Sequence, residues 1–503
     1  MMIGNNLQLI DFLNGGKEDS TAVHDPESAV SLTYGQLRYA VTRASEVLST
    51  AGVKVGDAVV FMSTNSAALL VALLAVIKYG AVAVPINPEA QAEEVSYYLN
   101  DCEAVLLLAS EHISNDVIQS CEKTASVKTG RLSAASLTLS LGPVAAITTH
   151  DRAAKFAEDV CLMIYTSGTT SRPKGVPLTV GNVVASVEAF ADCFQLTPSD
   201  VTIVPMPLFH VHGLVGATFS TLHTGGTIVY QPRFSASKFW SQVKEYKVTW
   251  YTASPTIHRI LLKRKADGEI AVGQLRFVRS SSASLRADTL NELEESFGTV
   301  VLEAYGMTEA ANQASCNPLP PRARKVGSIG VPAGVEIRIV DKSGNEAIAG
   351  RSGEVLVRGR SMMHGYHNKP EANLTAFSDD WFRTGDEGYL DEDGYLFLVG
   401  RIKELISRGG EKFAPAEVEE VLLRHPGVDE AACFGVPDEK YGEEVHAAIV
   451  AKEGASIDTD ELAAFCAKHL NAIKIPKKFF LIESIPRTPT NKIQRQQLVQ
   501  MLS

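Results

Sequence analysis

The chain has 503 residues, 45% hydrophobic and 21% charged, the balance of a globular protein long enough for more than one core. Its net charge of −11 argues against nucleic acid as the main partner, because a phosphate backbone needs a basic face. Seven cysteines are scattered without a CxxC pair, so neither a zinc site nor a disulfide framework is expected, and a reducing, cytoplasmic compartment is.

The first residues, "MMIGNNLQLIDFLNGGKED", lack the basic and long apolar regions of a secretory signal. "LTYGQLRYAVTRASEVLSTAG" has apolar residues at helical spacing and predicts a helix capped near Gly52; "AVVFM" predicts a buried strand. "AALLVALLAVIKYG" predicts a helix and "AVAVPI" a further strand, the βαβ rhythm of a parallel sheet. The apolar run Ala67 to Ile77 stops at Lys78, well short of the ~20 residues that span a bilayer, so no membrane partner is expected. Short strands return at "VTIVPMP", "TIVYQP", "VTWYTASP", "LRFVRSSSAS" and "VVLEAYG", each followed by loop residues where ligands of an open α/β sheet collect. From about residue 326 the character changes to β-rich pieces, "GVEIRIV", "GEVLVRG" and "GYLFLVG". The last hundred residues read as a small α/β unit beginning at "GRIKELISRGG". The expected division is a domain of 1–400 and one of 401–503. The final "QMLS" is not the S-K-L peroxisomal address.

"YTSGTTSRPKGVP", from Tyr165 to Pro177, is the most unusual stretch. A glycine-rich turn offers backbone N–H groups at close range, and hydroxyls add donors that rotate toward phosphate oxygens. Thr166, Ser167, Gly168, Thr169, Thr170 and Lys174 therefore form a candidate phosphate cradle, although the Walker spacing is absent. Taken alone, the stretch also suits a polar surface loop.

The stretch resembles the phosphate loop of the adenylate-forming acyl-CoA synthetase superfamily, whose other motifs follow in order: "EAYGMTE" (303–309), "WFRTGD" (381–386), "GRIKELISRGGEKFAP" (400–415) and "IPRTPTNKIQR" (485–495). The resemblance covers essentially the whole chain. It implies an α/β fold, with a large N-terminal domain of parallel-rich sheets and a β-rich subdomain, and a small mobile α+β C-terminal domain. It implies a ligase using ATP, Mg²⁺ and coenzyme A, acting through an acyl-adenylate, as monomer or homodimer. On this likeness Glu309 helps hold Mg²⁺ and Thr308 contacts the α-phosphate. Tyr305 stacks beside adenine, Glu303 and Ala304 line its edge, and Ser282 and Ala283 join the nucleotide site. Asp386 accepts from the ribose, Arg401 makes a second ribose contact, Lys403 lies at the hinge, and Gly409 and Gly410 let the pantetheine arm pass. Lys492 is the mobile catalytic lysine, an ammonium bridging the attacking carboxylate and the α-phosphate. The sequence departs from the family pattern at Asn491 and Ser171, where glycine is usual.

The acid is read from two segments. "PLFHVHG" places His210, by resemblance, at the junction of acid pocket and thiol tunnel, with His212 a buried structural residue; no third ligand suggests a metal. "RFVRSSSASL" puts hydroxyls and arginines where an apolar acid wants none, so Arg279, Ser280 and Ser281 suit a short dicarboxylate. In the other reading the serines face adenine and the arginines face solvent. Whole-chain resemblance is to the oxalate–CoA ligase branch, through "TSGTTSRPKGVPLT", "PLFHVHG", "TWYTASPTIH", "SSSASL" and "CNPLP". That branch commonly has a histidine shortly after "MTEA", where this chain has Asn312 and Gln313, which keeps malonate, medium-chain and aryl acids open. A carrier-protein-loading enzyme and a catalytically silent binding protein are the alternatives of other classes.

Overall fold

The computed structural model describes residues 13, 15–125, 127–133, 139–141, 156–157, 159–166, 173–264, 273–487 and 493–502. Ser167, Gly168, Thr169, Thr170 and Ser171 of the candidate cradle, and Asn491 and Lys492 near the C-terminus, lie outside the described residues. The chain divides into two compact units, Met1–Glu336 with Val357–Phe382, and Ile337–Leu356 with Arg383–Ser503. The expected boundary after residue 400 falls within the second unit, at the end of the strand Leu396–Arg401.

The first unit holds two large sheets. In the seven-stranded one, Ala58–Met62, Val82–Ile86 and Leu106–Ser110 run parallel and are buried at every position, as continuous apolar strands covered on both faces must be. The helix Ala67–Tyr79 between two of them is buried from Ala67 through Ile77, which accounts for the long apolar run: it is a core helix, capped by Ser66 and ended by left-handed Gly80. Among the described residues no helix is long and apolar enough to cross a membrane. At one edge Val160–Thr166 and Lys174–Thr179 form an antiparallel hairpin with Thr166 opposite Lys174, so the ends of the candidate cradle are held together.

The nine-stranded sheet is parallel across Thr227–Tyr230, Val201–Val204, Trp250–Ala253, Phe277–Ser280 and Val300–Tyr305, with Ser315–Cys316 added antiparallel. One face packs Val278 against Trp240, Leu290 and Phe297. The other turns Trp250 and Phe277 toward Phe190 and Phe194 of the helix Val180–Phe194. The period of two along Phe277–Ser280 then sends Arg279 to the same side as Phe277, into that aromatic layer. "PLFHVHG" leads into a π-helix, His212–Phe219, a rare form that the sequence pattern did not signal.

In the second unit, the part of the strand Trp381–Leu390 from residue 383 onward pairs antiparallel with Leu396–Arg401. A second sheet is ordered Glu411–Phe413, Ile406–Arg408, Gly442–Ala451, Val428–Asp438, with Lys478–Leu481 parallel to Gly442–Ala451. Its core is Phe413, Val418, Leu422, Val445 and Ile449. The α/β fold with a parallel-rich first part and an antiparallel-rich second part is the one expected from the sequence.

Candidate active site

Two neighbouring parallel strands carry most of the candidate residues to one end of the nine-stranded sheet. Phe277–Ser280 ends in Ser281, Ser282 and Ala283; Val300–Tyr305 runs through Glu303, Ala304 and Tyr305 into a short 3₁₀ turn, Thr308–Ala310. Ser280 lies beside Glu303 in register. The carboxyl ends of such strands are where open α/β sheets bind ligands. The Ser281 hydroxyl donates to Ala304 O at 3.0 Å, tying the two strand exits together. Ser282 adopts φ +75°, and its hydroxyl meets His212 Nδ1 at 2.9 Å.

His212 is buried and bonded at both nitrogens, its Nε2 lying 2.6 Å from Thr252 Oγ1. Burial and the charge of Arg279 hold its pKa well below the ordinary value, so it is neutral. Arg279 Nη1 donates to the same Nε2 at 3.3 Å, which makes that nitrogen the acceptor and assigns the ring proton to Nδ1. His212 is thus a structural residue. His210 precedes it at the π-helix entrance, half-buried against the Phe209 ring at 4.3 Å.

Arg279 is fully buried. Nη1 also donates to Thr252 Oγ1 at 3.0 Å, and the guanidinium carbon lies 5.2 Å from the Phe190 ring centre. Nε and Nη2 have no hydrogen-bond partner among the described residues. Burial pushes its pKa down to about 10, and among the described residues no carboxylate is bonded to it. At neutral pH it remains a cation. Arg276, three residues earlier, turns instead to Asp200, bonding it through Nε at 2.8 Å and Nη2 at 2.9 Å. The two arginines of "RFVRSSSASL" therefore part: one is an ion pair with Asp200, the other a buried charge with no carboxylate beside it among the described residues. Three further candidate-region residues carry buried polar atoms unpartnered among the described residues: Ser280 (Oγ), Asn312 (Nδ2) and Gln313 (both amide atoms). Asn312 reaches this loop through φ 134°, and its amide lies close to Gly216 of the π-helix.

Glu309 follows Thr308 in the 3₁₀ turn. Its Oε1 accepts from the Tyr366 hydroxyl at 2.7 Å, and its carbonyl accepts from Met363 N at 2.7 Å. The Tyr366 ring in turn lies under the Lys174 ammonium, 3.7 Å from its centre. Three segments far apart in sequence thus meet at one carboxylate and one ammonium. Among the described residues no group of three or more His, Cys, Asp or Glu could cage a metal. A single carboxylate with one oxygen already bonded suits Mg²⁺, which keeps several waters and takes one or two protein carboxylates plus substrate phosphates. Tyr366 is the residue that sequence reasoning missed.

Glu303 is 6% exposed, and burial pushes its pKa up to about 7. A pKa raised on folding gives stability that is complete below about 4.5 and is lost as pH rises through about 7. Glu303→Gln is therefore expected to stabilise the protein at pH 8 by on the order of 2 kcal/mol and to change little at pH 4. Thermal melting of both proteins at the two pH values checks this; an equal shift at both would contradict a buried, ionising carboxyl.

In the second unit Asp386 is 5% exposed and Arg401 Nε lies 2.8 Å from its Oδ1. Arg401 Nη1 also donates to Thr384 O at 3.0 Å. Lys403 is exposed in the turn that follows. Gly409 (φ 60°) and Gly410 (φ 89°) form the two-residue turn between Ile406–Arg408 and Glu411–Phe413; two positive φ angles define a type I′ turn, which demands residues such as glycine.

Residues 14–367 match the family model described as AMP-binding enzyme, and 417–492 match that of its C-terminal domain. The chain is 45% identical to the oxalate–CoA ligase of Arabidopsis thaliana, covering 93% of each chain. It is 38% identical to the sulfoacetate–CoA ligase of Cupriavidus necator, over 96% of this chain and 94% of that one. ATP-bound MatB from Rhodopseudomonas palustris has a similar structure, with a TM-score of 0.89 at 30% identity over 99% of both chains. With its buried cation, its strand-end hydroxyls and this breadth of likeness, the chain belongs to the AMP-binding enzyme family, as an ATP-dependent acid–CoA ligase.

Proposed function

We propose that this ligase activates a small acid bearing a second anionic group, oxalate foremost, and transfers it through an acyl-adenylate to coenzyme A. The observation that carries the reading is Arg279, a buried guanidinium with two nitrogens unbonded and no carboxylate partner among the described residues. A buried unpaired charge costs several kcal/mol, roughly, and a substrate anion that pairs with it removes that cost. The bond would be charge-assisted and geometrically selective. Oxalate and sulfoacetate, the acids named for two relatives, both join a carboxylate to a second anion. Where the oxalate branch commonly has a histidine shortly after "MTEA", this chain has Asn312 and Gln313, and the Asn312 amide N–H is unpartnered among the described residues.

In this reading the acid's carboxylate attacks the α-phosphorus of ATP and pyrophosphate leaves. Thr166 to Thr170 and Lys174 cradle the phosphates, and Thr308 bonds the α-phosphate. Glu309 holds Mg²⁺, which when bound neutralises charge shared among phosphate oxygens. Glu303, Ala304, Tyr305, Ser282 and Ala283 shape the adenine site; Asp386 and Arg401 take the ribose. Lys492 stabilises the adenylation transition state by charge, with no protein nucleophile required. The C-terminal domain, 401–503, then turns about Lys403, and the thiol reaches the adenylate past Gly409, Gly410 and His210. The free cysteines fit a cytoplasmic setting.

Steady-state AMP release with ATP, Mg²⁺ and CoA, against oxalate, malonate, sulfoacetate, hexanoate and 4-coumarate, tests this reading. Oxalate is expected to lead by at least about tenfold in kcat/KM, a margin worth ~1.4 kcal/mol, and only with CoA present. A lead by hexanoate or 4-coumarate would end the reading while leaving the ligase class intact. Adenylation without CoA-dependent turnover would point to a carrier-protein acceptor.

A further inference from the structure

No motif singles out Tyr366, yet it joins the described parts of the phosphate site. Its segment is pinned throughout. Asn182 Nδ2 donates to Arg360 O at 2.9 Å and to Met362 O at 2.8 Å. Met363 N reaches the Glu309 carbonyl, and His367 N donates to Gly175 O at 2.9 Å, beside Lys174. Asn373 bonds both backbone groups of Tyr366, accepting from its N–H at 2.8 Å and donating to its carbonyl at 2.9 Å. The side chain is 8% exposed, so it has little room to turn elsewhere.

We propose that Tyr366 is a positioning residue: its phenol fixes one oxygen of Glu309 so that the other is presented to the metal, and its ring sets the place of the Lys174 ammonium. The proposal rests on the reading of Glu309 as the metal-binding carboxylate. A glutamate has three side-chain torsions, and a free carboxylate swings between one-oxygen and two-oxygen coordination. The O–H···O bond at 2.7 Å occupies Oε1 and, among the described residues, leaves Oε2 for single-oxygen binding, which would suit Mg²⁺. The ring contributes a second effect. The ammonium lies 3.7 Å above its face, a cation–π contact that fixes its place.

The test separates hydroxyl, ring and carboxylate. Mn²⁺ binding to the full-length enzyme with ATP, without acid, is read by loss of the free-Mn²⁺ electron paramagnetic resonance signal. Mg²⁺ half-saturation is read by pyrophosphate exchange. Tyr366→Phe is expected to weaken Mn²⁺ about tenfold, the usual cost of losing a partner that orients a metal ligand, with metal-free ATP affinity unchanged. Its kcat should recover at saturating Mg²⁺, which a folding defect would not allow. Tyr366→Leu should weaken ATP binding as well, through Lys174. Unchanged Mn²⁺ affinity in Tyr366→Phe, while Glu309→Gln weakens it, would overturn the proposal. If Glu309→Gln also left Mn²⁺ binding unchanged, the metal assignment of Glu309 would fall and the proposal with it.

Discussion

Arg279→Met is expected to lower kcat/KM for oxalate by two to three orders of magnitude, roughly the 2–5 kcal/mol lost when one partner of a buried charge pair is removed. The same substitution should leave the protein as stable as before or more so. Arg279 is fully buried against Phe190 and Phe194, with two nitrogens unsatisfied among the described residues, and replacing a buried ion by an apolar side chain of similar volume is commonly neutral or stabilising. The opposed signs matter. An arginine that served only the core would, on removal, take stability and activity down together. One kept for a substrate anion costs the empty protein something and repays it only in the complex. Thermal melting alongside AMP release with oxalate and with hexanoate reads both. Loss on oxalate with retained melting temperature and undiminished hexanoate turnover is the expected pattern; equal loss on both acids would remove Arg279 from the acid site.

Lys492→Ala should cut adenylation by about 10²–10³-fold, the effect typical of losing one transition-state charge donor, while thioester formation from supplied acyl-AMP changes little. The asymmetry follows from where charge develops. Pentacoordinate phosphorus and departing pyrophosphate gather negative charge in the first step only; in the second, the leaving group is AMP and the attacking atom is sulfur. Pyrophosphate exchange measures the first half-reaction and CoA consumption from synthetic acyl-AMP the second. Equal loss in both would take the lysine out of its assigned role.

Much of the fold was legible because burial leaves plain marks in sequence. Strands covered on both faces read as unbroken apolar runs, and Ala67–Tyr79, apolar all round, could only be a core helix at its length. Gly409 and Gly410, read in the sequence only as room for the pantetheine arm, prove to form a turn at positive φ. What stayed hidden depends on direction rather than composition. Arg276 and Arg279 look equivalent as letters; the first sits before its strand begins and swings to Asp200, the second inside it, on the face shared with Phe277. Tyr366 was illegible because its meaning lies in Glu309, 57 residues away in sequence, and a tyrosine among "MHGYHNK" carries no charge, spacing or breaker to mark it. The acid-pocket reading of the serine run was a fork that sequence left open. Structure narrows it by placing Ser281 on Ala304 O and Ser282 on His212, each in a bond of its own, and leaving Ser280 Oγ unpartnered among the described residues.

The contact between the π-helix and the loop after Glu309 has a consequence for redesign. A Cβ added at Gly216 would stand 2.7 Å from Asn312 Nδ2, closer than real side chains come. Neither position is therefore an independent dial. Enlarging residue 216 alone forces the Asn312 amide to move, because the three nearest atoms are all in its side chain. Shrinking residue 312 first opens the gap, after which bulk at 216 becomes a way to reshape it. A library aimed at new acids should vary the two together, because a change at 216 moves the side chain at 312 and their effects on selectivity would not add.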